Sequence, residues 1–224
     1  KISLRYHAGG VLVDQRPGWV GLNWNLNAGG VITRKKNYIP DEFNITTSPN
    51  NLIGYYHDSR LLNTDNWSEV NYLSEQLSKV KNPYDFAPDE FTFYFGDYQG
   101  KFYLSHEKDE YGKRKWIVQC DKPVRIEVQD EFLPLPLSIQ AAPTGYQFFK
   151  GFTIITENGT KYYFGGAEQA IEYSTTAFYN PSNEWVASSW YLTKITSPNG
   201  KTITFNYEKE LTDDKKADAF ISQL

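Results

Sequence analysis

Phe152-Thr153-Ile154-Ile155-Thr156-Glu157-Asn158-Gly159-Thr160-Lys161-Tyr162-Tyr163-Phe164 decides the fold class of this chain. Both arms are rich in β-branched and aromatic residues, which fit a pleated, half-buried surface. Asn-Gly between two such runs is the strongest short-range hairpin signal, because both central residues of a type I′ turn need positive φ. The plan returns at Leu192-Thr193-Lys194-Ile195-Thr196-Ser197, where Pro198-Asn199-Gly200 turns the chain into Lys201 to Tyr207. Phe-Thr-x-Ile-Thr and Leu-Thr-x-Ile-Thr precede the two turns, so one hairpin unit is used twice, a weak internal repeat.

Period-two alternation continues upstream. Ile2, Leu4 and Tyr6 share one strand face; Val20, Leu22, Trp24 and Leu26 share another, and Gly29-Gly30 separates these from Val31-Ile32-Thr33-Arg34. Phe91-Thr92-Phe93-Tyr94-Phe95 is dense enough in aromatics to predict burial on both faces. Composition agrees: 6 Trp, 17 Tyr and 14 Phe make up 17% of 224 residues, a supply that suits sheets better than helices. The fold class expected is therefore all-β, mainly antiparallel sheets and hairpins in a sandwich- or shell-like arrangement, as one domain over residues 1–208 with a tail at 209–224. One segment breaks the pattern. Val70, Leu73, Leu77 and Val80 fall on a helical stripe, and Asn66 with Glu69 resembles a capping box, predicting one amphipathic helix around residues 66–81. With the polar stretch Asn44 to Thr64, read as a surface loop, it forms an insert at residues 41–84.

A net charge of -4 gives no attraction to nucleic acid or anionic lipid. No run approaches the roughly 20 apolar residues of a transmembrane helix, so no membrane insertion is expected. The lone Cys120 excludes an intrachain disulfide framework and reads as an inert thiol in a strand. Methionine is absent and the chain opens directly on alternating residues, so a processed or excised piece is expected, its targeting segment removed.

The phrase Val20-Gly21-Leu22-Asn23-Trp24-Asn25-Leu26-Asn27-Ala28-Gly29-Gly30-Val31-Ile32-Thr33-Arg34 is less generic. It resembles the opening domain of bacterial Rhs/YD-repeat proteins. It is similar too to the N-terminal β domain shared by virulence-plasmid toxins and the B components of insecticidal toxin complexes. Tyr6 to Gly10, Ile39-Pro40-Asp41-Glu42, and Pro88 to Phe95 with Gly100-Lys101-Phe102 match neighbouring parts of that pattern. Residues 186–208, ending in Tyr207-Glu208 where the repeat has Tyr-Asp, resemble the start of the repeats themselves. The resemblance implies a secreted or cell-surface structural domain of the bacterial envelope, not an enzyme. It would cap or nucleate a β shell used for effector delivery or surface interaction, with the downstream YD-repeat region of the same polypeptide as its partner. Gly21, Trp24, Gly29, Gly30 and Arg34 are the structural motif residues. The glycines would permit unusual backbone or close approach, and Trp24 supplies a buried anchor.

Catalytic, cofactor and metal residues are not evident. His7, His57 and His106 lack ligand-like spacing for the three or four convergent ligands of a zinc site. Asp41-Glu42 and Asp89-Glu90 each lie in Pro-Asp-Glu-Phe. Neighbours on a strand point to opposite faces, so neither dipeptide is a carboxylate pair by itself. One residue from each could converge as a glycosidase requires, but turn chemistry after proline is the simpler account. Asp109 to Lys113 reads as a hairpin loop. The alternative function is a surface binding module recognising glycan or a host protein through exposed aromatics, with Trp67, Trp185 and Trp190 as stacking candidates and ordinary core as the plainer account of them.

Overall fold

The computed structural model describes residues 3–6, 24–27, 29–37, 39–45, 52–57, 68, 71, 85, 87–129, 131–134, 147–175 and 185–208. The two Asn-Gly hairpins are both present. Gly151–Thr156 (β12) pairs with Lys161–Gly165 (β13), and Trp185–Thr196 (β15) pairs with Thr202–Thr204 (β16). Their turns differ from the expected two-residue type I′. Ile155 faces Lys161, and the Thr156 and Gly159 amides donate to Thr160 and Thr156 carbonyls, leaving a three-residue loop with Gly159 at φ 78°. Ser197 to Lys201 repeats this bonding, with Gly200 at φ 82°. Such a turn ends in a left-handed residue, which selects glycine at its last position. Thr156 and Ser197 reinforce the match, each donating from its hydroxyl to the turn asparagine's side chain and to the carbonyl four residues on.

The remaining strands follow chain order. β1 (Ser3–Tyr6) pairs with β2 (Trp24–Asn27), and Gly30–Lys35 forms β3. Asn44–Ile45 and Leu52–Ile53 make a short ladder, β4 and β5. β6 (Glu90–Phe95), β7 (Tyr98–Lys108), β8 (Arg114–Cys120) and β9 (Val124–Val128) follow. β10 (Phe132–Pro134) pairs with β11 (Gln147–Phe149), and β14 is Ile171–Thr175. One ten-stranded antiparallel sheet runs β8-β7-β6-β3-β15-β13-β12-β9, with β14 and β16 added on β15.

That sheet cannot be flat. β6 and β12 stand four steps apart along it, about 19 Å at roughly 4.8 Å per step. Yet Phe91 on β6 lies 5.2 Å from Phe152 on β12, and Phe95 lies 4.4 Å from Tyr162 on β13. The sheet therefore curls until its faces meet, and its end strands β8 and β9 are successive strands. Ile32, Phe91, Phe93, Phe95, Phe102, Phe152, Ile154, Phe164 and Trp190 fill the interior. β6 is buried on one face only, not both: Phe91, Phe93 and Phe95 point inward while Thr92 is exposed.

Several expectations are corrected here. Trp190 is 0% exposed and donates from its indole to the Phe149 carbonyl at 2.8 Å, which removes it as a glycan-stacking candidate and agrees with the plainer reading of it as core. The stretch Asn44 to Thr64 is no simple surface loop, since Tyr55 is buried and Gly54 would put a Cβ 2.2 Å from the Pro40 carbonyl. Of the helix expected over 66–81, Ser68 and Asn71 are described, both helical and exposed. Gly21, Trp67 and the side chains of Trp24 and Trp185 lie outside the described residues, as does the whole tail at 209–224. No helix among the described residues is long and apolar enough to cross a membrane.

Gly30 shows the close approach expected of it: a Cβ there would sit 2.6 Å from the Phe95 Cβ. Gly29 shows no such crowding, with its nearest contact at 3.6 Å. Gly30→Ala is expected to destabilise by about 1–3 kcal/mol through overpacking. Trp190→Ala is expected to cost about 3–5 kcal/mol as a large buried ring is deleted. Urea denaturation checks both; an unchanged midpoint for either would contradict this packing.

Candidate functional site: a buried carboxylate cluster

Pro-Asp-Glu-Phe occurs twice, at residues 40–43 and 88–91, and the fold brings the two copies together. Asp89 donates its amide to Asp41 Oδ1 at 2.9 Å, and Asp41 donates its amide to Asp89 Oδ2 at 3.2 Å. The two phenylalanines, Phe43 and Phe91, anchor both copies in the core at 0% exposure. The simpler reading of two separate proline turns is thus corrected. Asp41 does sit in a turn, closed by the Phe43 amide on the Pro40 carbonyl, but its side chain reaches across to the second copy. In the second copy the adjacent acids diverge as strand geometry requires, Glu90 facing outward to pair with Lys101 at 2.8 Å, whereas in the first copy Asp41 and Glu42 are both buried.

Arg34, from β3, enters this cluster with its side chain 1% exposed. Its Nη2 donates to Glu42 Oε1 at 2.7 Å, and its Nε lies 3.6 Å from Asp89 Oδ2. Trp190, Phe91 and Phe149 surround the guanidinium carbon at 5.0, 5.2 and 5.8 Å from their ring centroids. Burial lowers the Arg34 pKa, but Glu42 and Asp89 together outweigh it and hold the pKa above its usual value.

A fourth carboxylate completes the group. Asp85 is anchored by its amide on the Ile53 carbonyl and accepts the Ala87 amide on Oδ1 at 3.2 Å. One oxygen from each of Asp41, Asp85 and Asp89 lies within 4.8 Å of the others. At its rim, His57 Nε2 lies 3.0 Å from the Glu42 carbonyl. A carbonyl only accepts, so Nε2 carries the proton and the ring is held as that tautomer. Arg114 fastens the same turn by donating to the Tyr55 and Tyr56 carbonyls.

Four acids and one buried base leave the charges unbalanced. Desolvation raises the pKa values of Asp41, Glu42 and Asp89, for Asp41 with Asp89's charge adding to it; Arg34 opposes the rise in all three. Asp85 is pushed up to about 7, chiefly by burial. A raised pKa favours the protonated, neutral carboxyl, and all four acids are at most 1% exposed. Elsewhere, Cys120 is half-buried on β8 beside Tyr94, Asp97, Gln99 and Lys122, with no base positioned on its thiol among the described residues. His106 is exposed on β7 and far from the cluster in the chain, and His7 lies outside the described residues.

Only one signal in the sequence pointed here, the repeated charged tetrapeptide; nothing marked Asp85. Comparison with protein-family models, with curated proteins and with solved structures finds no match for this chain.

Two outcomes follow. Arg34→Met leaves Glu42 and Asp89 buried without their cation and is expected to cost about 3–5 kcal/mol, whereas Glu42→Gln keeps a hydrogen-bonding oxygen and costs less. Equal loss from both in chemical denaturation would mean the ion pair is not what matters. With a chelator present, stability should fall as pH rises from 3.8 towards 7, because folded Asp85 binds its proton more tightly than the unfolded chain does. Burial lowers the His57 pKa and so makes an opposing contribution below 6.5, one imidazole against four carboxyls. Asp85→Asn should flatten the decline in melting temperature, and an equally steep decline in that variant would assign it to other groups.

Proposed function

We infer that this chain is a non-catalytic structural domain of a secreted or surface protein of the Rhs/YD-repeat kind, capping or nucleating a β shell. The observation that carries the reading is β16. Thr202, Ile203 and Thr204 are all exposed, Ile203 at 59%, and β16 pairs with β15 alone among the described residues. A strand with one free edge and an exposed apolar residue is a template for another strand. A hairpin that repeats the β12–β13 plan is what a further stacked unit would extend, since repeat units bury their faces against neighbours.

The sealed carboxylates support a scaffold over a hydrolase, because their charges tie β3, the 40–43 turn and the 85–89 segment together. The glycan-binding alternative loses Trp190 to the core. Tyr111, 86% exposed at the β7–β8 turn, and Tyr6, 58% exposed, are aromatics still presented to solvent.

Hydrogen exchange tests the shell reading in the natural polypeptide from which this sequence comes. Amides of Thr202 to Thr204 are expected to exchange markedly more slowly when downstream repeats are attached than in the 224-residue chain alone. Equal protection in both, or a polypeptide with no such repeats after Leu224, would overturn it.

A further inference from the structure

Asp41 Oδ2 and Asp85 Oδ2 are buried and have no hydrogen-bond donor, on side chains 0% and 1% exposed. Their neighbours are better provided. Asp89 accepts the Asn37 amide at 2.8 Å and the Asp41 amide at 3.2 Å, with Arg34 at 3.6 Å; Glu42 has Arg34 at 2.7 Å on Oε1, while its Oε2 also lacks a donor. Asp85 also gains from the Ile39 amide and from Lys36, whose positive field reaches Asp89 as well. Two buried carboxylate oxygens thus lack a donor inside a cluster whose three aspartates each bring an oxygen within 4.8 Å of the others. An unpaired buried charge is among the most costly features a fold can carry.

We propose that Asp41, Asp85 and Asp89 form a binding site for a calcium-sized divalent cation. The donors are all oxygens, which selects a hard ion; zinc prefers histidine and cysteine ligands, and neither is among the three. Oxygens coordinating Ca²⁺ at 2.3–2.6 Å stand at most about 5 Å apart, which accommodates three atoms within 4.8 Å. Mg²⁺ demands a tighter octahedron and keeps several of its waters, which suits this enclosed site less well. The bound ion would satisfy the orphaned oxygens of Asp41 and Asp85 and lock the 85–89 segment onto the 40–43 turn. This inference is independent of the shell reading, since it concerns the core and not the β16 edge.

The test uses the 224-residue chain stripped with chelator and then titrated calorimetrically with CaCl₂. Saturable binding of one ion per chain and a rise in melting temperature are expected, with MgCl₂ giving a smaller rise. Asp85→Asn keeps an oxygen for the Ala87 amide but loses the charge, and should weaken Ca²⁺ binding by at least about tenfold, the loss that even outer-shell changes bring. Should that variant not fold, Tb³⁺ added to the unaltered chain provides a second readout. Tyr55 lies close enough to feel the charges of Asp41 and Asp85, so excitation of tyrosine should give terbium emission that Ca²⁺ abolishes. No saturable binding, undiminished binding by Asp85→Asn, an equal response to Mg²⁺, or terbium emission that is absent or insensitive to Ca²⁺ would each overturn the proposal.

Discussion

The architecture depends on a guanidinium that water does not reach. Arg34 sits on β3, the strand that joins β6 to β15, and its charge is met by Glu42 and Asp89 while three aromatic rings enclose it. A buried arginine is tolerable only where carboxylates and ring faces replace its lost hydration. That requirement fixes where the 40–43 turn and the 88–91 strand start must lie. It also fixes Trp190, whose ring covers the guanidinium and whose indole nitrogen must find the Phe149 carbonyl. The curled sheet and the polar cluster are therefore one structure, since the strands that close the barrel-like core also deliver the charged residues.

The reciprocal Asp41–Asp89 contact has a second consequence. Each aspartate is held by the other's backbone amide, so the two Pro-Asp-Glu-Phe copies act as mutual caps. Amide donors stabilise carboxylate charge, yet Asp41 is still pushed upward, because burial and the second acid act against it. The cluster has more negative charge than Arg34 offsets. Such a surplus belongs in a place where folding and ionic conditions are coupled, and it gives the core a chemical sensitivity that an all-apolar interior lacks.

Among the described residues, the four clustered acids face inward, while the β16 edge, Tyr6 and Tyr111 face solvent. Acids sealed at this depth require a close-packed interior. Phe91, Phe102, Phe149, Phe152 and Trp190 supply one through edge-to-face and tilted ring contacts 5.0–6.1 Å apart.

Much of the fold was legible in the chain because its signals are local. Alternation at residues 152–164 and 192–207 names strands, Asn-Gly names their turns, and Gly30 marks a close approach. These follow from backbone sterics and a side-chain period of two, which act over a few residues. The turn type escaped, because register is set by how the two arms pair, and Thr156 and Ser197 tip it towards the bulged form. The site was far less legible. Pro-Asp-Glu-Phe appeared twice, but the convergence of residues 48 apart depends on β3 and β6 pairing, and Asp85 carries no local mark. Core was the plainer reading of Trp190, but its partners, Phe91, Phe152 and the Phe149 carbonyl, come from strands far off in the chain. By itself the sequence determined an antiparallel β protein with two matching hairpins, because hydrogen-bonding geometry and hydrophobic alternation are written residue by residue. Only the tertiary structure decided that the sheet curls and that four acids are buried together beside one arginine, because the energy of a charge depends on its surroundings and not on its neighbours in the chain.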